Sequence, residues 1–199
     1  MLSKIFSRIS AAFAKCGRRL KVLFTLLGVW GIIFSVVTIA GLKVGFDYDD
    51  TLSFTAPACK KALQTRAVVN SPVYWRALNG AWDLEKTKII SYMTACFFKI
   101  TGFKVSVITS RSSIGAEALV KAWKPLITEF HFVQDNSKKS QVLDGDKYLF
   151  YFGDSDSDIT QAREAGVIPV RIKRSRKSLN KDDYNPGALR EWTIPLSEF

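Results

Sequence analysis

The stretch VGFDYDDTLSF, residues 44–54, sets Asp47, Asp49 and Asp50 within four positions directly after a run that reads as a buried strand. Similar short runs recur: KVGFDY, KVSVITS, KYLFYFG and VIPVRIK are β-rich and unbroken enough to be covered on both faces. Helical stretches lie between them. SPVYWRALNG offers Ser71 as N-cap, Pro72 in the first turn and Gly80 past the end. LEKTKIISYMTACFFKITG closes at Gly102, SSIGAEALVKAWKP ends before Pro125, and DSDITQAREAG ends at Gly166. Strands alternating with helices predict an α/β domain around a parallel sheet, whose working residues gather beyond the C-terminal strand ends.

The acids stand at those ends. Asp47, Asp49 and Asp50 follow one strand, Asp154, Asp156 and Asp158 follow another in FGDSDSDIT, and VITSR closes a third with Thr109, Ser110 and Arg111. Carboxylates about 4 Å apart repel by roughly 4 kcal/mol at an effective dielectric near 20. A hard divalent cation offsets that, and Mg²⁺ commonly takes one or two carboxylates together with a substrate phosphate. The bland alternative is that acids cap helices and line turns, Asp156 being the best candidate cap. Asp47 fits it poorly, because it sits where a hydrophobic strand stops and no helix begins.

FDYDDTL, VITSR, SKKSQ and FGDSDSDI resemble, in order, the four motifs of the haloacid dehalogenase-like (HAD) phosphatase superfamily. VGFDYDDTLSFTAP, NSPVYWRALNGAWD, YFGDSDSDITQAREAG and the ending LSEF are more narrowly similar to the class B acid phosphatases of bacteria, across about residues 44–199. The resemblance implies a Rossmann-like HAD fold with a small helical cap over about residues 53–100. It implies Asp47 as nucleophile and Asp49 as acid and base. Thr109, Lys139 and, nearby, Ser110 and Arg111 would hold phosphate. Mg²⁺ would be held by Asp47, the Asp49 backbone carbonyl and Asp154, with Asp158 ordering its surroundings. Ser110 departs from the family, which usually has glycine after the motif threonine. Without the family match, a solvated basic turn is a serious though lesser alternative for Lys139 and Lys138. An unperturbed aspartate is about 0.1% protonated at neutral pH, so an acid role predicts a raised pKa for Asp49.

Phe54, Tyr74, Trp82 and Tyr184 are candidates for stacking on a nucleoside or aryl leaving group, or for packing within the cap. The only histidine, His131, reads as a surface or strand-end residue. RIKRSRKSLNK, residues 171–181, carries six bases and no acid and reads as a solvated loop or an attractor of anionic substrates and headgroups.

The charge of +11 is uneven: residues 1–46 hold seven Lys or Arg and no acid, leaving 22 bases against 18 acids elsewhere. That balance gives no ground for a specific nucleic-acid partner. Leu2, Ile5, Phe6, Ile9 and Phe13 form a basic amphipathic segment, and residues 22–42 run without a charge for about 30 Å as a helix. This predicts a membrane anchor over residues 1–42 ahead of the HAD-like domain, 43–199. The basic flank places the N-terminus in the cytoplasm and the domain in the periplasm. A signal peptide cut after Ala40 and a buried core helix are the alternatives. Three cysteines without a C-x-x-C pair do not decide the compartment. The predicted activity is Mg²⁺-dependent hydrolysis of small phosphomonoesters, nucleotides among them. Phosphoryl transfer to alcohols and a non-catalytic phosphate-binding role are the alternatives. Class B relatives are typically tetramers, but the long segment they usually carry between export signal and first strand is absent here, which leaves a homo-oligomer as an open alternative rather than an expectation.

Overall fold

The structure is a computed structural model that describes residues 17–199. The amphipathic segment expected over residues 2–15 lies outside the described residues. Helix α1, Arg18–Ala40, takes up the apolar run and closes at Gly41. It is long and apolar enough to cross a membrane and serves as either an anchor or a signal sequence. Its large side chains face outward, and Val37 is its one buried residue. The alternative of a buried core helix is thereby corrected.

Strand β1, Lys43–Phe46, begins three residues after α1 and is central to a six-stranded parallel sheet. The expected strands appear as β1, β4 (Lys104–Thr109), β6 (Tyr148–Gly153) and β7 (Ile168–Ile172). Two edge strands went unpredicted, β5 (Glu129–Phe132) and β8 (Trp192–Ile194). Both are short and lack a continuous apolar run. The order is β5-β4-β1-β6-β7-β8, with every neighbouring pair parallel.

The unbroken runs are explained by cover on both faces. Val44, Phe46, Val105, Val107, Phe152 and Val170 point into one core, where the rings of Phe46 and Phe152 stack at 4.5 Å. Ile108 and Tyr151 point into a second core with Leu143 and Ala162. Each such buried side chain contributes about 1.5–3 kcal/mol.

Between β1 and β4 the chain makes a small antiparallel ribbon, β2 (Ser53–Phe54) with β3 (Lys86–Thr87), and helices α2 (Ala56–Gln64) and α3 (Pro72–Gly80). Ser71 caps α3 as expected, accepting from the Tyr74 N–H at 3.3 Å. α2 and α3 share a cluster of Ala58, Ala62, Tyr74 and Leu78. Helix α4, Ile89–Ile100, instead lies on the sheet, with the Phe98 ring 5.7 Å from that of Phe152. Cys96 packs against this core. The helix expected from Leu84 is corrected: it starts only at Ile89. Lys88 is buried, with its ammonium donating to the carbonyls of Asp50 and Lys173 at 2.6 Å each, which ties the chain down ahead of the helix.

The remaining helices are α5 (Glu117–Trp123), α6 (Lys139–Asp144) and α7 (Asp156–Glu164).

Candidate active site

The ends of β1, β4 and β6 and the starts of α6 and α7 meet at one edge of the sheet. The Asp47 N–H still donates to the Phe152 carbonyl at 2.8 Å, so the ladder carries this residue to the rim. Asp50 then takes a left-handed backbone (φ 52), which turns the chain into β2. Lys139 opens α6, and its ammonium donates to Asp47 Oδ1 at 2.8 Å and to Asp158 Oδ1 at 2.7 Å. All three side chains are buried. One carboxylate oxygen from each of Asp47, Asp154 and Asp158 lies within 4.8 Å of the others.

Asp158 owes its position to local chemistry. Ser155 caps α7 by accepting from the Asp158 N–H, and Asp158 Oδ2 accepts from the Ser155 N–H at 3.0 Å and from its hydroxyl at 2.7 Å. This reciprocal box belongs to Ser155, which corrects the expectation that Asp156 is the cap. Asp156 instead accepts from Arg171 and Asn185. Gly153 makes room for the arrangement: a Cβ there would fall 2.2 Å from the Asp158 Cβ.

Arg111 is equally buried and tightly held. Its guanidinium donates to both oxygens of Asp49 (2.9 and 2.8 Å), to Glu85 Oε1 (2.7 Å) and to Asn79 Oδ1 (3.2 Å). Tyr48 donates to Glu85 in turn, and Trp123 donates to the Tyr48 hydroxyl. Thr109 is buried at the end of β4, where its hydroxyl accepts from the Arg111 N–H at 3.2 Å; Ser110 beside it is half-buried.

Asp47, Asp154, Asp158 and Lys139 are thus brought together, with Asp49 and Arg111 forming an adjoining pair. The aromatic candidates are dispersed. Tyr74 belongs to the α2–α3 cluster, Trp82 packs against the main core and Phe54 is half-buried in β2. Tyr184 lies under the Arg174 guanidinium, 4.8 Å from ring to cation. With Lys173, Arg174, Arg176, Lys177 and Phe199 it lines a cavity of about 650 Å³. His131 pairs with Glu129 on β5.

Sequence reasoning missed Glu85, Asn79 and the inward course of two bases. Arg174 pairs with Asp154, and Arg171 with Asp156 and Glu191, so part of the basic run is structural rather than a solvated loop. Six bases without an acid were a signal that some needed distant partners. Nothing in the spacing marked Glu85.

Electrostatics separates the acids. Burial pushes Asp47 well above the usual range, against the pull of Lys139 and with added repulsion from Asp158 and Asp154. Burial, then the charge of Asp158, pushes Asp154 up to about 7. For Asp158, burial is outweighed by Lys139 and Ser155, so its carboxyl is held low. Burial likewise acts to raise Asp49, but Arg111 outweighs it and holds that carboxyl below the ordinary range. The raised pKa expected of Asp49 is therefore corrected for the substrate-free protein.

The donor set fits a hard cation. Three buried carboxylates offer oxygen ligands within reach of one another, and the repulsion that Asp158 exerts on Asp47 and Asp154 is what a divalent cation between them offsets. Asp158 already accepts from Lys139, Tyr151 and Ser155, which suits it to bracing its neighbours.

No family model matches the chain. It is 29% identical over 175 residues to the class B acid phosphatase of Klebsiella pneumoniae (strain 342), covering 79% of this chain and 73% of that protein. The class B acid phosphatase of Salmonella typhi is 28% identical over 177 residues, with the same coverage. Among solved structures, a predicted phosphoglycolate phosphatase from Haemophilus somnus superposes with a TM-score of 0.55, covering 78% of this chain and 95% of the other at 14% identity. A HAD-superfamily hydrolase from Geobacter sulfurreducens gives 0.52, covering 79% and 96% at 13% identity. The solved structures share the sheet architecture, the curated relatives share sequence through most of both chains, and together they make this chain a HAD-superfamily hydrolase, a phosphatase related to the class B acid phosphatases.

Proposed function

We propose that the chain hydrolyses small phosphomonoesters, nucleotides among them, through an aspartyl-phosphate on Asp47, with Mg²⁺ as cofactor and α1 as a membrane anchor that leaves the domain outside the cytoplasm. The observation that carries the reading is the buried cluster of Asp47, Asp154 and Asp158 closed by Lys139. The class B relatives support the substrate class.

An Asp47 oxygen attacks phosphorus, the bond to the leaving oxygen breaks, and Asp49 gives that oxygen a proton. Water then attacks the same phosphorus and yields its proton to Asp49, so that inorganic phosphate leaves and Asp47 is restored. Lys139 and the Thr109 hydroxyl hold phosphoryl oxygens as charge spreads over them. The carboxylates of Asp47 and Asp154 and the Asp49 backbone carbonyl would hold Mg²⁺, which when bound neutralises phosphoryl charge.

Asp49 needs a proton that Arg111 opposes. An arriving phosphate dianion competes for the Arg111 guanidinium and adds negative charge beside Asp49, and both effects raise the carboxyl toward a useful value. The deciding experiment measures turnover of an aryl phosphate by the full chain. Asp47→Asn is expected to remove activity by several orders of magnitude, and chelation of Mg²⁺ to abolish it reversibly. A variant that keeps its rate, with no response to chelation, sinks the proposal.

A further inference from the structure

α4 covers the sheet with one face and turns the other outward, and that outward face is apolar from end to end. Ile89, Tyr92, Met93, Phe97 and Ile100 stand at helical spacing along it, with Met93, Phe97 and Ile100 exposed by 61%, 57% and 59%. The one charged residue of the helix, Lys99, is half-buried, its ammonium donating to the Leu126 carbonyl at 3.0 Å. The outer helix of an α/β domain ordinarily gives water a charged face.

The stripe ends where α1 touches the domain. The Trp30 indole N–H donates to the Ile100 carbonyl at 3.1 Å, and the Thr38 hydroxyl donates to the Gly102 carbonyl. Gly102 has φ +94, and a Cβ there would sit 2.7 Å from Thr38 Oγ1 and 2.8 Å from the Phe34 carbonyl oxygen, so the approach is as close as backbones allow. At its far end α1 is closed by a cation: Lys147 donates to the Ala40 carbonyl at 2.9 Å.

These contacts fix a depth. A hydrocarbon core roughly 30 Å thick requires about 20 helical residues, nearly all of α1. Trp30 lies about 15 Å along the axis from Ala40. With Trp30 against Ile100, the Ile100–Gly102 turn lies below the level where α1 leaves the hydrocarbon, so the domain cannot stand clear of the bilayer. In that medium an indole N–H and a helix-terminal carbonyl each need a partner, and here they satisfy one another.

We propose that α4 is a second membrane contact: its Met93–Phe97–Ile100 face beds in the leaflet on the domain's side, continuous with the apolar surface of α1. A helix of 12 residues is too short to span and suits an interfacial position. Lys104 and Lys147 flank the turn with charge for anionic headgroups. The inference rests on the anchor reading of α1.

The test places a photoreactive amino acid at position 93, 97, 26 or 121 of the full chain in vesicles of phosphatidylcholine and phosphatidylglycerol. Leu26 is an exposed residue of α1 and Lys121 an exposed residue of α5. Phosphatase turnover of each variant reports folding, and positions 93 and 97 are independent of one another. Lipid adducts at 26 and at 93 or 97, with none at 121, are the expected result. Adducts at 26 alone, or chain-to-chain adducts at 93 and 97, overturn the α4 contact while leaving the anchor standing. No lipid adduct at 26 removes the anchor, and the inference with it.

Discussion

Two regions of this molecule invert the ordinary burial rule in opposite directions. At the active edge, charged side chains are inside: Asp47, Arg111, Lys139, Asp154 and Asp158 are each at most 5% exposed. Along α1 and α4, large apolar side chains are outside, with Ile32 exposed by 67% and Met93 by 61%. The first inversion is resolved within the chain, because Arg111 and Lys139 each face two carboxylates at hydrogen-bond distance and Arg174 reaches Asp154. The second has no internal partner of comparable size, so its stabilisation has to come from the surroundings.

The comparison breaks most visibly at Lys139. Lys139→Met leaves Asp47 and Asp158 without their shared cation, and losing one partner of a buried pair costs roughly 3–5 kcal/mol. Urea unfolding should show that loss, and a value near zero would mean that the cluster is not held by internal pairing. A second test concerns metal-free protein. Asp154 moves from 3.8 up to about 7, so between those values the native chain holds a proton that the unfolded chain has released. Stability should then fall as pH rises across that window, by on the order of a few kcal/mol, with Asp47 shifted in the same direction. Asp49 and Asp158 act in the opposite sense, but below the ordinary carboxylate range. Saturating Mg²⁺ should flatten the slope in thermal melts.

Smaller effects sharpen the same contrast. Gly153→Ala forces a methyl into Asp158 and is expected to cost about 1–3 kcal/mol in thermal unfolding. Its activity should fall further than stability alone accounts for, since the displaced group is the brace of the cluster. On the apolar side, Met93→Glu should change the stability of detergent-solubilised protein by no more than about 0.5 kcal/mol. Turnover of a soluble phosphomonoester should be untouched. A large destabilisation in detergent would show that this face packs against protein instead.

Much of the candidate site was legible in the sequence, because strand-end acids and hydroxyls sit in local patterns and a parallel sheet gathers its strand ends. Lys139 was legible through its motif, although Lys138 beside it carries the same charge. What escaped was partnership. Glu85 reaches Arg111 across 26 positions and Arg174 reaches Asp154 across 20, and no local period records either pairing. The helix start at Ile89 escaped for the same reason, since Lys88 is committed to carbonyls at positions 50 and 173.

By itself, the sequence determined the four apolar strands at the centre of the sheet, that residues 22–42 form an apolar helix, and that acids cluster at strand ends. Those properties depend on periodicity and composition within a few residues. Only the tertiary structure decided that Arg111 holds Asp49 ionised, that Lys139 rather than Lys138 is the buried cation, and that α4 turns an apolar face outward beside α1. A charge's state depends on what lies within a few ångströms of it, and folding chooses those neighbours from the whole length of the chain.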